Sequence, residues 1–168
     1  MHDHGTRDTA PSPQALRLAL GRFATGVTIV TCRAVDGSAA GLTANSFSGV
    51  SLDPPLVLWS LRRASPSLPV FAAARHFNVN VLAEAQVDLS RRFASALHDK
   101  FTEGVWSDGS TGVPMLAGCA AVFECEAQLR HEVGDHLLII GRVLGVVDSV
   151  LPPLVFQSGR YHMLGEIV

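Results

Sequence analysis

Four short stretches of this chain carry residue types that can do chemistry. The first is Gly41–Pro55, GLTANSFSGVSLDPP, where Thr43, Ala44, Asn45 and Ser46 place small side chains, hydroxyls and an amide at consecutive positions. Small residues let a flat ligand approach the backbone, and hydroxyl and amide groups satisfy the polar edges of a ring. The same composition equally describes a polar loop. The second stretch offers charge and hydroxyl donors from Arg62, Arg63, Ser65 and Ser67. It suits either a terminal phosphate or a solvated turn with a serine capping the next helix. Third, Lys100-Phe101 sets an ammonium beside an aromatic ring, able to serve one phosphate and one ring. Fourth, Gly134-Asp135-His136 stands at a strand start after a tight turn. Turn chemistry accounts for Gly134 and Asp135, and leaves His136 as proton donor, cofactor contact or plain strand-end side chain.

Several chemistries are absent as local patterns. Gly141 and Gly145 have the wrong spacing for a dinucleotide fingerprint and no helix follows them. No phosphate-binding Walker loop, HExxH or GxSxG occurs, and no serine pairs with a histidine and an acid as a credible triad. Cys32, Cys119 and Cys125 are odd in number and scattered, which fits neither a disulfide framework nor a zinc site and suits a reducing cytoplasm. His2 and His4 sit on a terminal arm and read as solvated rather than metal-binding. No metal site is expected.

The whole composition narrows the class further. With 168 residues, 48% hydrophobic and 17% charged, the chain suits one domain with a real core. The expected division is a mobile arm over residues 1–12 and a single domain over 13–168. A formal net charge of -2 provides no field to recruit nucleic acid. No apolar run approaches the roughly 20 residues that cross a bilayer, and the first residues lack the charged and apolar regions of a secretory leader. The apolar richness also hints at self-association.

The elements that must position these stretches are mostly strands. Ser12-Pro13 starts a helix, with serine as cap and proline in the first turn, whose inner face is expected to carry Leu16, Leu20 and Phe23 and to stop at Gly26. Val27–Arg33 is β-branched and reads as a strand, Asp36-Gly37 as a turn, and Ala39–Phe47 as the returning strand. Leu56–Trp59 is a short buried strand. Phe77–Leu82 alternates as another strand, and Gln86–Ala96 looks helical, with Leu89 and Phe93 facing inward. His98–Gly112 reads as a surface excursion carrying Lys100, Phe101 and Trp106. Phe123, Cys125, Ala127 and Leu129 alternate with polar neighbours, the period of a half-buried strand. HLLIIGRVLGVVDS is a long apolar strand whose Gly141 and Gly145 predict a bend or bulge, as barrel closure requires. Leu154–Phe156 and Tyr161–Leu164 finish the chain as short strands. About seven short strands against two or three helices is the pattern of a small antiparallel barrel.

Taken together, LGRFATGVTIVT (20–31), GLTANSFSGVSLDPPLV (41–57), the serines of 65–67, FNVNVL (77–82), Phe93-Ala94, Lys100-Phe101, GDHLLIIGRV (134–143) and PLVFQSGRYHML (153–164) resemble the short-chain flavin reductase family, the reductase components of two-component flavin-dependent monooxygenases. The resemblance implies a mainly β fold, a Greek-key-like antiparallel split β-barrel of the FMN-binding type, homodimeric, with flanking helices. It implies reduction of FMN or FAD by NADH or NADPH, with reduced flavin passed to a partner monooxygenase. By the same resemblance, Thr43, Ala44, Asn45 and Ser46 lie along the flavin ring, and Trp59, Ser60 and Leu61 run beside the ring and ribityl chain. Ser65, Ser67, Lys100 and Phe101 approach the phosphate, and His136 contacts the nicotinamide. Trp59 is bulkier than the family pattern and is expected to reshape the flavin pocket, and Pro66 and Pro69 stiffen the phosphate loop. Arg62, Arg63 and Arg160 are the cations on offer for a 2′-phosphate. The competing readings are a split-barrel flavoprotein that retains FMN and acts on an organic substrate, and a flavin-binding protein without turnover.

Overall fold

The computed structural model describes residues 10–166, so His2 and His4 lie outside the described part. Strands account for 46% and helices for 18% of the described residues. Helix α1 spans Pro13–Leu20, and the Ser12 side chain accepts a hydrogen bond from the Ala15 amide at 3.2 Å. It ends at Gly21, earlier than expected, because Gly21 already closes the last turn through its own N–H. The face expected to be internal is exposed, with Leu20 at 65% and Phe23 at 78%, since no other described element packs over it.

Strands β1 (Thr25–Gly26) and β2 (Thr28–Arg33) follow, then β3 (Ala39–Ala44), β4 (Ser48–Leu52) and β5 (Pro55–Arg62). After the short α2 (Leu68–Ala73) come β6 (His76–Val81) and α3 (Val87–Ala94). The rest is β7 (Trp106–Asp108), β8 (Pro114–Leu116), β9 (Ala121–Val133), β10 (His136–Asp148), β11 (Val155–Gln157) and β12 (Arg160–His162). The expected strand Ala39–Phe47 thus ends early. The chain leaves β3 at Ala44 and starts β4 at Ser48, and in the β4–β5 hairpin Pro55 opens β5 opposite Leu52.

All pairings are antiparallel, and the main sheet runs β3-β2-β6-β9-β10-β5-β4. Neighbours such as β2 and β6 are far apart in sequence, the Greek-key feature of the topology. Its two outermost strands, β3 and β4, are consecutive in the chain with only Asn45, Ser46 and Phe47 between them. A connection that short can join opposite edges only if the sheet curls until they come together. The stretch richest in small polar residues is therefore the seam of the barrel. The curl draws on two irregularities of the β9–β10 ladder, at Ile140/Gly141 and Val143/Gly145, as the strand glycines predict. The first of them also breaks the expected alternation of β9, so that Leu129 is half exposed instead of internal.

Two layers of core flank the sheet. Inside the barrel, Val30, Trp59, Phe71, Phe77, Val79 and Ile139 pack together, Trp59 edge-on to Phe71 at 5.1 Å between ring centres. Outside it, Ile29, Leu82, Phe93, Leu116 and Val122 form a second cluster beneath α3 and the 106–116 hairpin. Strand β2 contributes to both, so residues 28–32 are continuously buried. The two asparagines of FNVNVL face the outer layer and are structural. Asn80 donates to the Ile29 carbonyl at 2.9 Å and accepts from the Leu116 amide at 2.9 Å, and Asn78 donates to the Val113 carbonyl at 3.1 Å. A carboxamide suits this place because one side chain can both donate and accept, as Asn80 does between β2 and the β8 segment laid across the buried face. The segment expected as a surface excursion is in consequence partly core, with Phe101 and Trp106 packed against the outer cluster.

Candidate functional site

The seam opens on a cavity of about 430 Å³. Its floor is Leu42–Ser46, one wall is the end of β5 from Ser60 to Arg62, and a rim is the loop Ser65–Ser67. The end of α3 supplies Phe93, Ala94 and Ser95, and Lys100 and His136 complete the lining. The residues expected along the flavin and nicotinamide converge here except Trp59 and Phe101, and of the three cations on offer for a 2′-phosphate only Arg62 lines the cavity, not Arg63 or Arg160.

Trp59 is fully buried inside the barrel and does not line the cavity. The cavity meets β5 only at the end of the strand, Ser60 to Arg62, and Trp59 lies before it among the core residues. Phe101 stands behind the wall rather than in it. Its ring lies edge-on to Phe93 at 5.0 Å and 4.8 Å from Trp106, so it buttresses Phe93, a residue that borders the cavity.

The hydroxyls of the floor are already committed to protein. Thr43 Oγ1 donates to the Ser90 carbonyl at 2.6 Å, tying β3 to α3. Ser46 Oγ donates to the Ser60 carbonyl at 3.1 Å and accepts from the Ser60 amide at 3.0 Å. Ser46 thereby continues the β-ladder beyond the end of β4 and closes the seam onto β5. These two residues hold the floor flat, and Ala44 keeps it shallow. Asn45, exposed on the cavity, carries the amide that remains for a ligand. Gly41, just below, leaves no room for a side chain: a Cβ there would lie 2.7 Å from Phe93 Cε1.

At the rim, Ser65 Oγ accepts from the Ser67 amide at 3.3 Å, and the Ser65 carbonyl accepts from the Leu68 amide at 3.0 Å. The loop is a compact turn that presents hydroxyls and Arg62 to the cavity. Lys100 reaches it from the opposite side. Its Nζ donates to the Phe93 carbonyl at 3.1 Å, at the end of α3 where a helix carries unpaired carbonyls and negative potential. Burial pulls the Lys100 ammonium below its ordinary value. Arg92 fixes the Lys100 segment, its guanidinium donating to the Lys100 carbonyl at 2.9 Å and the Asp99 carbonyl at 2.7 Å. His136 Nδ1 lies 2.8 Å from Asp135 Oδ1, which leaves Nε2 as the nitrogen not engaged by its neighbour. That hydrogen bond and the imidazole's charge hold the Asp135 carboxyl below its usual value. Gly134 has φ 59°, the left-handed geometry that lets the β9–β10 turn deliver Asp135 and His136 at this edge.

Residue patterns alone do not place the end of α3 in the site. Ser95, the residue at which the helix stops, is the one available signal for it. The three thiols take no part. All are buried, and burial pushes each up to about 12. Among the described residues no group of three or more potential metal ligands occurs, and no helix is long and apolar enough to cross a membrane.

Residues 20–165 match the family model described as "Flavin reductase like domain". The chain belongs to that family. Its fold is accordingly the split barrel of the flavin reductases. A curated relative of this flavin reductase-like domain, a "Probable flavin reductase" of Rhizobium meliloti (strain 1021), is 46% identical over 149 residues, covering 89% of this chain but only 48% of the relative. The chain therefore spans about half the length of that protein. The "FMN reductase (NADH) SmoA" of Agrobacterium fabrum (strain C58 / ATCC 33970) is 43% identical over 148 residues, 88% of this chain and 84% of the relative. Among solved structures, a homologue of nitrilotriacetate monooxygenase component B from Mycobacterium thermoresistibile superimposes with a TM-score of 0.86 at 36% identity, over 90% of this chain and 86% of that one.

The cavity suits a flavin on the chemistry of its donors. A floor of small residues fits a planar ring, the Asn45 amide its polar edge, and the opposing cations Lys100 and Arg62 with the Ser65, Ser67 and Ser95 hydroxyls fit a phosphate at the far end.

Proposed function

We propose that this flavin reductase-like domain is an NAD(P)H:flavin oxidoreductase that reduces FMN or FAD and supplies reduced flavin to a partner monooxygenase. The observation that carries the reading is the meeting of Thr43–Ser46, Ser60-Leu61, Ser65, Ser67, Lys100 and His136, five separate chain segments, in a single cavity at the barrel seam. Family membership and the activity named for the FMN reductase of Agrobacterium support it, and the monooxygenase component among the structural neighbours supports the partner.

The flavin supplies the redox chemistry, accepting a hydride from the reduced nicotinamide. The chain's work is placement. Ala44 and Asn45 receive the ring, Ser65, Ser67 and Lys100 hold the phosphate, and His136 orients the nicotinamide through its free nitrogen. Stacking two rings in a fixed arrangement replaces a bimolecular encounter, which is where most of the rate enhancement arises when cofactors do the chemistry. The Asn45 amide would stabilise negative charge on the ring of a bound flavin. This division of labour explains the absence of an acid-base triad.

The working unit is residues 13–168, with 1–12 as an arm. A homodimer accounts for the exposed Leu18, Leu20 and Phe23 and for Leu129, Leu144 and Val146 on the β9–β10 hairpin, more apolar surface than a monomer needs. Three buried free thiols accord with a cytoplasmic setting. The test is a four-way assay of NADH and NADPH against FMN and FAD, following loss of dihydronicotinamide absorbance. Turnover with at least one pairing is expected, and none with any pairing would reject the reading.

A further inference from the structure

A second cavity adjoins the first. It measures about 620 Å³ and is bounded by Arg62, Arg63 and Leu68 on one side and by Glu132, Gly134 and Asp135 on the other. Arg62 lines both cavities, so the two are contiguous at that side chain. Their relation is fixed by backbone. The Arg63 amide donates to the Asp135 carbonyl at 2.9 Å, pinning the loop after β5 to the β9–β10 turn. The next residue of that turn, His136, faces the first cavity.

We propose that this second cavity takes the adenosine-diphosphate half of a dinucleotide whose reactive half occupies the first, and that Glu132 with Arg63 selects a free ribose 2′-hydroxyl over a 2′-phosphate. The inference rests on the flavin reductase reading. A dinucleotide is two nucleotides joined by a diphosphate, and Arg62 stands at the junction. A guanidinium there has the planar fork that suits phosphate oxygens, and its charge is felt by the Asp135 carboxylate across the cavity. Beyond the junction, Leu68 offers apolar surface for a base. Beyond the junction one pair of charges cancels locally: Arg63 Nη1 lies 3.5 Å from Glu132 Oε2.

A cavity neutralised in this way discriminates by chemistry rather than by net field. A carboxylate accepts hydrogen bonds from ribose hydroxyls, the part an acidic side chain plays where a 2′-hydroxyl is to be recognised. The same carboxylate repels a 2′-phosphate and occupies the guanidinium that would otherwise bind it. Neutralising Glu132 removes the repulsion and releases Arg63, so the two effects act in one direction.

The experiment compares wild type, Glu132→Gln and Glu132→Gln/Arg63→Ala, each checked for an unchanged melting curve. Two ratios are read: kcat/KM for NADPH over NADH, and affinity for FAD over FMN by fluorescence titration. Wild type should prefer NADH. Glu132→Gln should raise the NADPH:NADH ratio about tenfold, the size of one charge-assisted contact, and adding Arg63→Ala should abolish the gain. If instead only the FAD:FMN ratio falls in Glu132→Gln, the dinucleotide that uses the cavity is FAD. If neither ratio moves, or if the gain survives loss of Arg63, the proposal is overturned. A wild type that oxidises neither nicotinamide would overturn the reductase reading, and the flavin ratio would still decide this one.

Discussion

Gly41→Ala tests whether the floor of the site and the aromatic wall behind it are packed as tightly as they look. The added methyl carbon would sit 2.7 Å from Phe93 Cε1, 3.1 Å from Phe93 Cδ1 and 3.1 Å from Phe101 Cζ. Real carbon atoms do not tolerate the first distance, so something must shift. A flexible side chain would swing away at little cost, but Phe93 cannot. It is 1% exposed and wedged between Phe101 and Trp106, with ring centres 5.0 and 5.4 Å away. Overpacking of this kind costs about 1–3 kcal/mol. For a chain of this length that corresponds to a fall in melting temperature of roughly 2–12 °C. Gly49→Ala is the matched control. It lies in β4, nothing stands within 4 Å of where its methyl group would lie, and restricting the unfolded chain should stabilise it by about 0.4–1 kcal/mol. Thermal melts should therefore move in opposite directions for the two substitutions. FMN titration should show weaker binding in Gly41→Ala, because Phe93 borders the cavity and its displacement disturbs that lining. A Gly41→Ala protein that melts at or above the parent temperature would refute the packing argument.

Ser46→Ala removes both hydrogen bonds to Ser60 at the seam, a loss of about 1–2 kcal/mol after partial replacement by water, to be read as a lower melting temperature. An unchanged melt would mean that the seam does not depend on Ser46. Lys100→Met should weaken FMN by about tenfold while leaving riboflavin affinity alone; equal weakening of both would remove Lys100 from the phosphate end. Hydrogen bonds from Arg142, then Arg75, hold the Glu126 carboxyl below its ordinary value of 4.5. Its contribution is thus complete above that value and is lost as pH falls through the depressed folded value. Glu126→Gln should flatten the decline of melting temperature below pH 4.5, and an unaltered slope would show that another carboxyl governs it. The buried thiols at Cys32, Cys119 and Cys125 should resist alkylation at mildly alkaline pH in the native protein and all react after unfolding. Rapid native labelling would contradict their burial.

Much of this architecture is legible in the sequence, and the gaps have physical causes. The two strand glycines announce the irregularities of β10 because few other features tolerate glycine in an apolar strand. The alternation of FNVNVL announces a strand, but not that its polar face would be covered, since a buried asparagine and an exposed one look alike until the 113–116 segment is laid across them. The split of Ala39–Phe47 into β3 and a seam is hidden because closure of a barrel is a long-range event that leaves no local period. Trp59 departs from its expected place for a simpler reason. The family-like segment touches the cavity only from Ser60 onward, and Trp59, one residue earlier, is packed into the barrel core. Leu16, Leu20 and Phe23 have the spacing of an internal helix face, yet nothing in the described chain covers them. Of the site itself, residue types alone leave Thr43–Ser46 divided between loop and floor. The barrel seam decides between them, and it shows that two of the hydroxyls serve the protein.

The central claim is that the seam cavity brings a reduced nicotinamide and a flavin together. Its most direct measurement is an anaerobic mixing experiment with stoichiometric protein, FMN or FAD, and NADH, following the yellow flavin absorbance in time. Bleaching is expected at a rate far above the protein-free mixture, slowed by His136→Ala with flavin affinity preserved. Absorbance that decays no faster with the protein than without it, for both flavins and with NADPH as well, would contradict the claim.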